Sequence, residues 1–134
     1  MKPVPLLDTH LWIWWLLGDS RLTVGESEFL DALPPEGRPF LCDISIWEAA
    51  LLVEKGRVVL DCSLADFLEM ATSPATVRVL PITAGVAVEM NALPDSFHRD
   101  PADRLIVSTA RAHQLSVATR DRLIHESKLV EIWM

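Results

Sequence analysis

Apolar positions along the chain switch repeatedly between continuous short runs and helical spacing. Val4-Pro5-Leu6-Leu7 is such a run, predicted as a strand with Asp8 at its C-terminal end. A helical pattern follows over Thr9–Leu17 and is broken by Gly18-Asp19-Ser20. A second helix is predicted over 24–33, ended by Pro34-Pro35, then a turn at Glu36-Gly37-Arg38-Pro39 and a brief strand at Phe40-Leu41-Cys42. The segment from Asp43 to Lys55 reads as a helix stopped by Gly56, and Ser45 with Glu48 has the spacing of a capping box. Val58-Val59-Leu60 is short and apolar, and 63–71 is an amphipathic helix with Ser63 as its cap. Val77–Ile82 is predicted as a strand, with Pro81 marking its end or an edge position, and Thr83–Leu93 as a helix running into Pro94-Asp95.

The next block carries the sharpest punctuation. Asp100 stands directly before Pro101, an N-cap followed by proline at the first helical position. Leu105, Ile106, Thr109 and Ala110 repeat at helical spacing, so Pro101–His113 is predicted as a helix. Leu115–Thr119 then reads as a buried strand ending at Arg120-Asp121, and Leu129–Trp133 as a closing strand. Strands alternate with helices throughout. The pattern implies a three-layer α/β/α sandwich around a mainly parallel, roughly five-stranded sheet, with residues 1–134 as one domain and no repeat, linker or low-complexity tract.

Composition narrows the class. Of 134 residues 50% are hydrophobic, which excludes a disordered chain. Leu11–Leu17, the most apolar run, is too short to span a bilayer, and no small-residue cleavage site follows it, so a cytoplasmic protein with no membrane association is expected. Cys42 and Cys62 are read as two reduced, partly buried thiols. Trp12, Trp14 and Trp15 crowd the first helix and cannot all face one core, which leaves a large local core or a partner chain to cover them.

The net charge of −7 argues against a surface that grips nucleic acid by bulk electrostatics. Its distribution is uneven. Residues 1–97 hold six Lys/Arg against fourteen Asp/Glu, whereas residues 98–128 hold six against four. There Arg99, Arg104, Arg111, Arg120 and Arg122 interleave with acids, a mixture that suits either a solvated helix or a metal site that receives a phosphate polyanion.

Asp8 and Asp121 each end a predicted strand, and Glu48 and Asp103 each fall near the start of a predicted helix. In a parallel sheet with right-handed crossovers, strand C-termini and the following helix starts share one edge. Four carboxylates from four segments can therefore meet. Uncompensated they would repel one another, so the cluster needs protons or cations. Oxygen ligands suit Mg²⁺ or Mn²⁺, and no Cys/His set has zinc spacing. Such an ion is matched to phosphodiester hydrolysis by activated water. The sequence has no Walker loop and no dinucleotide glycine fingerprint. A haloacid-dehalogenase-like phosphatase would need a second Asp where His10 stands, and a response-regulator receiver would need paired acids after the first strand. For each acid alone, capping is the competing role.

Leu6-Leu7-Asp8-Thr9-His10, Ser45-Ile46-Trp47-Glu48, His98-Arg99-Asp100-Pro101-Ala102-Asp103-Arg104-Leu105-Ile106 and Thr119-Arg120-Asp121, in that order, resemble the PIN-domain ribonucleases of the VapC toxin type. The resemblance runs from the first strand to the last. It implies a Mg²⁺-dependent endoribonuclease, with Mn²⁺ as a substitute, acting on tRNA or other structured RNA. It also implies the toxin of a type II toxin–antitoxin pair, commonly homodimeric and inhibited by a cognate antitoxin protein. Mapped by residue, the catalytic acids are Asp8, Glu48, Asp103 and Asp121, with Asp8 and Asp103 as principal metal ligands and Glu48 and Asp121 completing or orienting the site. Thr119 would donate a hydrogen bond behind the ligands. Asp100 is read as the helix N-cap, with a direct metal role as the alternative, and His98 as an exposed loop histidine, with contact to substrate phosphate as the alternative. Ala102 stands where the subgroup often has an aromatic residue. The exposed part of the Trp-rich first helix would dock an antitoxin helix, and the overall acidity suits either a basic antitoxin segment or solubility alone. The reading from a different class is a catalytically silent PIN-like module that only binds partners.

Overall fold

A computed structural model describes residues 3–133. Its centre is a four-stranded parallel sheet in the order β3-β2-β1-β4. The strands are β1 (Leu6–Leu7), β2 (Phe40–Cys42), β3 (Arg78–Leu80) and β4 (Val117–Ala118). Leu7 lies level with Leu41 on one side and with Ala118 on the other. Each strand is shorter than its apolar run. Pro3, Pro5 and Pro81 have no N–H to give to a ladder, which trims β1 and β3.

Side-chain alternation along these few residues divides the core between two layers. Leu7, Leu41 and Ala118 pack with Leu11, Trp12 and Trp15 of α1 (Thr9–Leu17), Ala49 and Leu52 of α3 (Ile44–Glu54), and Phe67 and Ala71 of α4 (Leu64–Ala71). Leu6, Cys42 and Val117 face the other way, onto Ile106 and Ala110 of α6 (Pro101–His113). α5 (Ala84–Ala92) lies against α6. A third cluster joins Leu93, Phe97 and Val107 to Ile124 of α7 (Arg122–Ser127). The result is the expected sandwich with a parallel sheet.

Several local expectations are corrected. Leu129–Trp133 occupies the fifth strand position but makes only one parallel bridge, Ile132 to Val117. The α7 helix follows Asp121 directly and was not expected there. Ser45 does not cap α3: Asp43 precedes that helix and no side chain caps it, while Ser45 is buried inside the helix. The capping box lies instead at the start of α2 (Val24–Asp31), between Thr23 and Glu26. Of the three clustered tryptophans, Trp12 and Trp15 are core, and Trp14 is half-buried. The largest exposed aromatic is Trp47. Cys42 and Cys62 are both free, but Cys62 is exposed rather than partly buried. Among the described residues no helix is long and apolar enough to cross a membrane.

Trp12 holds the larger layer together, being wholly buried with its indole N–H donating to the Ala71 carbonyl at 3.1 Å. Trp12→Ala should cost about 3–5 kcal/mol through cavity formation and the orphaned carbonyl. Equilibrium urea unfolding followed by circular dichroism checks this, and a loss under about 1 kcal/mol would contradict the packing described.

Candidate active site

The site is built where the neighbouring strands β1 and β4 end. Asp8 follows β1, is 7% exposed, and caps α1 by accepting from Leu11 N–H at 2.8 Å. Thr119 follows β4 and is buried. Its hydroxyl donates to Asp8, and its oxygen accepts from Asp121 N–H at 3.0 Å. One threonine therefore ties both strand ends together. Asp121 caps α7, accepting from Leu123 and Ile124 N–H at 2.8 and 3.3 Å. The third acid arrives with α6: Asp103 lies in its first turn, and its N–H is capped by the Asp100 carboxylate at 3.1 Å. Glu48 sits in the second turn of α3. That helix is fixed to α1 by the buried Thr9 hydroxyl, which donates to Ser45 Oγ at 2.8 Å.

Asp8, Glu48, Asp100, Asp103 and Asp121 line one cleft of about 480 Å³. His10, Trp14, Arg21 and Arg120 line its remaining walls. All four acids singled out from the sequence thus reach the same space, and Asp100 joins them while serving as the α6 cap. Ala102, beside them, is buried.

His98 is not the exposed loop residue expected. It is half-buried, packed against Phe97 with the rings tilted by 50° and their centroids 4.4 Å apart, and donates from Nε2 to Asp103 Oδ2 at 2.7 Å. The sequence held one signal for this. His98 lies two positions before the Asp100 cap and Asp103 three after it, so the chain reversal at Asp100-Pro101 turns them towards each other. Glu26 and Arg120 were missed for a different reason, since they are brought together across 94 positions of sequence.

The electrostatics follow from burial. Loss of water pushes the Asp8 carboxyl up from its ordinary value, and the charge of Asp121 adds to this. The bonds from Thr119 and Leu11 and the nearby His10 offset only part of the rise. Burial likewise pushes Asp103 to about 6; His98 opposes it, and the charges of Asp100 and Asp121 reinforce it. Glu26 behaves oppositely. Burial raises its carboxyl, but the Thr23 N–H and the Arg120 guanidinium together hold it below the usual range.

A divalent cation fits this arrangement. One ligand atom each from His98, Asp103 and Asp121 lies within 4.8 Å of the others, a span that a single ion can bridge. Asp8 and Glu48 stand in the same cleft outside that tight group. A cation would also offset the burial, and the smaller repulsion between carboxylates, that make Asp8 and Asp103 hard to ionise.

Residues 6–127 match the family model of the PIN domain. The chain is 35% identical over 123 residues to ribonuclease VapC22 of Mycobacterium tuberculosis, covering 92% of this chain and 91% of that protein. FitAcB from Neisseria gonorrhoeae superposes with a TM-score of 0.68 at 27% identity, over 96% of each chain. A toxin–antitoxin complex from Klebsiella pneumoniae shares the fold with a TM-score of 0.64 at 21% identity, over 97% of this chain and 98% of that one.

The raised acids set a pH dependence whose sign is fixed. The folded chain binds protons at Asp8 and Asp103 more tightly than the unfolded chain does, so ionising them costs stability. For Asp103 that cost is absent below about pH 4 and is complete once pH has risen past about 6. In EDTA, wild type should therefore lose stability relative to Asp103→Asn as pH rises through this window. Urea unfolding of both proteins at each pH checks it, and parallel curves would contradict it.

Proposed function

Because the chain belongs to the PIN-domain family, we propose that it is a Mg²⁺-dependent endoribonuclease, the toxin of a type II toxin–antitoxin pair. The observation that carries this reading is the meeting of Asp8, Glu48, Asp103 and Asp121, from four separate segments, in one cleft. The relatives support it: one is called a ribonuclease and another is a toxin–antitoxin complex. The substrate class would be tRNA or another structured RNA, with Mn²⁺ able to replace Mg²⁺.

When bound, the cation supplies activated water and neutralises charge on the scissile phosphate. The protein's own part is to hold its donors still. Asp103 is fixed by His98, Asp121 by two backbone N–H groups, and Asp8 by Leu11 and Thr119. Glu48, with no such tether among the described residues, would meet the ion through water. Asp100 acts as the helix cap, and its charge raises the affinity of its neighbours for a cation.

The antitoxin would cover this face. A groove of about 400 Å³ adjoins the cleft and brings Trp14 and Leu17 of the first helix beside Val58 and Val59. An apolar antitoxin helix fits that groove, with an arginine beyond it reaching the carboxylates, and the net charge of −7 favours a basic partner. A homodimer in the cytoplasm is the expected state of the free toxin.

Purified, antitoxin-free protein should cut members of a tRNA and structured-RNA panel at discrete positions only when Mg²⁺ or Mn²⁺ is present. Asp103→Asn should lower the rate by roughly 10³-fold while staying folded, since the ion contributes several kcal/mol to the barrier. Cleavage that is independent of metal and variant would overturn the mechanism. Silence of both proteins under either metal would favour the partner-binding module.

A further inference from the structure

We propose that Arg120, posed by the buried Glu26, grips a phosphate of the RNA backbone at the edge of the carboxylate cleft. This rests on the nuclease reading. Arg120 stands between Thr119 and Asp121, so its backbone is fixed by the same bonds that fix the acids. Its side chain lines the cleft beside Asp8, Asp103 and Asp121.

The way it is held is specific. One terminal nitrogen of Arg120 donates to Glu26 Oε1 and, at 3.4 Å, to the Arg21 carbonyl. Among the described residues its Nε–H and other terminal nitrogen have no hydrogen-bond acceptor. The guanidinium is therefore held along one side, with donors left over. Glu26 itself cannot turn away, because its side chain is 4% exposed and the same oxygen accepts from Thr23 N–H at 2.9 Å.

A helix cap needs only the Thr23–Glu26 exchange, and burying a carboxylate against a distant arginine carries a desolvation cost. What the pair achieves is to fix a cation's donors at the rim of an acidic cleft. A group of carboxylates repels a polyanion, and an ion bound among them neutralises only the scissile centre. A planar guanidinium with free N–H groups matches two phosphate oxygens in a fork. Arg21, over Trp14 at 4.5 Å on the same wall, is paired through two nitrogens with Asp19 and so adds little cationic character to that edge. Arg120 would touch the substrate, and Glu26 is a positioning residue.

The test is single-turnover cleavage, with Mg²⁺, of an RNA that wild type cuts, by Arg120→Gln, Arg120→Lys and Glu26→Gln. Affinity for the same RNA is measured against salt in an Asp103→Asn background. Arg120→Gln should lower the cleavage rate constant by about 100-fold, as loss of one charge-stabilising donor does. It should also reduce the slope of log affinity against log salt by about one. Arg120→Lys keeps the charge and the tie to Glu26, so its salt slope should stay near wild type while its rate falls at least about tenfold for want of the fork. Glu26→Gln should lower the rate without lowering the slope. If Arg120→Gln does not fold, the Arg120→Lys rate decides. Wild-type rates and slopes in the folded Arg120 variants would make the pair a clasp between α2 and β4 and overturn the inference, leaving the nuclease reading intact. A wild type that cuts no RNA with either metal would overturn both.

Discussion

Like charges gathered at one sheet edge repel, and the structure around the cleft is arranged to tolerate that repulsion. Asp8 and Asp121 sit at helix N-termini, where backbone N–H groups and the helix dipole favour a negative charge, and Asp103 sits in the first turn of another helix. Thr119 shares one hydroxyl between Asp8 and the Asp121 backbone, and His98 donates to Asp103. These contacts do not fully compensate. Burial, more than the neighbouring charges, still makes Asp8 and Asp103 hold protons more tightly than free carboxylates.

The sheet order supplies the geometry. Because β1 lies between β2 and β4, the residues that follow β1 and β4 emerge side by side. Alternation over only two or three residues per strand buries both faces of the sheet, so short strands suffice to hold the edge rigid. The Thr9–Ser45 bond then sets α3, and with it Glu48, against the same edge. For the proposed function this rigidity is an advantage, since ligands held in place before an ion arrives would need little reorganisation to bind it.

Much of this was legible in the sequence because its signals are local. Apolar runs marked every strand, and Asp100-Pro101 marked the start of α6. Asp8 and Asp121 could be placed at one edge because a parallel sheet puts strand C-termini there. What escaped has identifiable causes. Arg120-Asp121 read only as the end of a strand, and α7 is too short at six residues to show a period. Ser45 and Glu48 imitated a capping box, yet packing drew Ser45 into the interior to meet Thr9. The real box at Thr23 and Glu26 went unremarked, and so did its second use. Pairing Glu26 with Arg120 depends on the finished fold, which no local pattern encodes.

Whether the carboxylate cleft holds a divalent cation is tested directly by anomalous X-ray diffraction from crystals of the protein soaked in Mn²⁺. A manganese peak within coordination distance of Asp103 and Asp121, with Asp8 and Glu48 bound directly or through water, is the result predicted. A cleft free of manganese at saturating concentration, or a peak only elsewhere on the surface, would contradict the account.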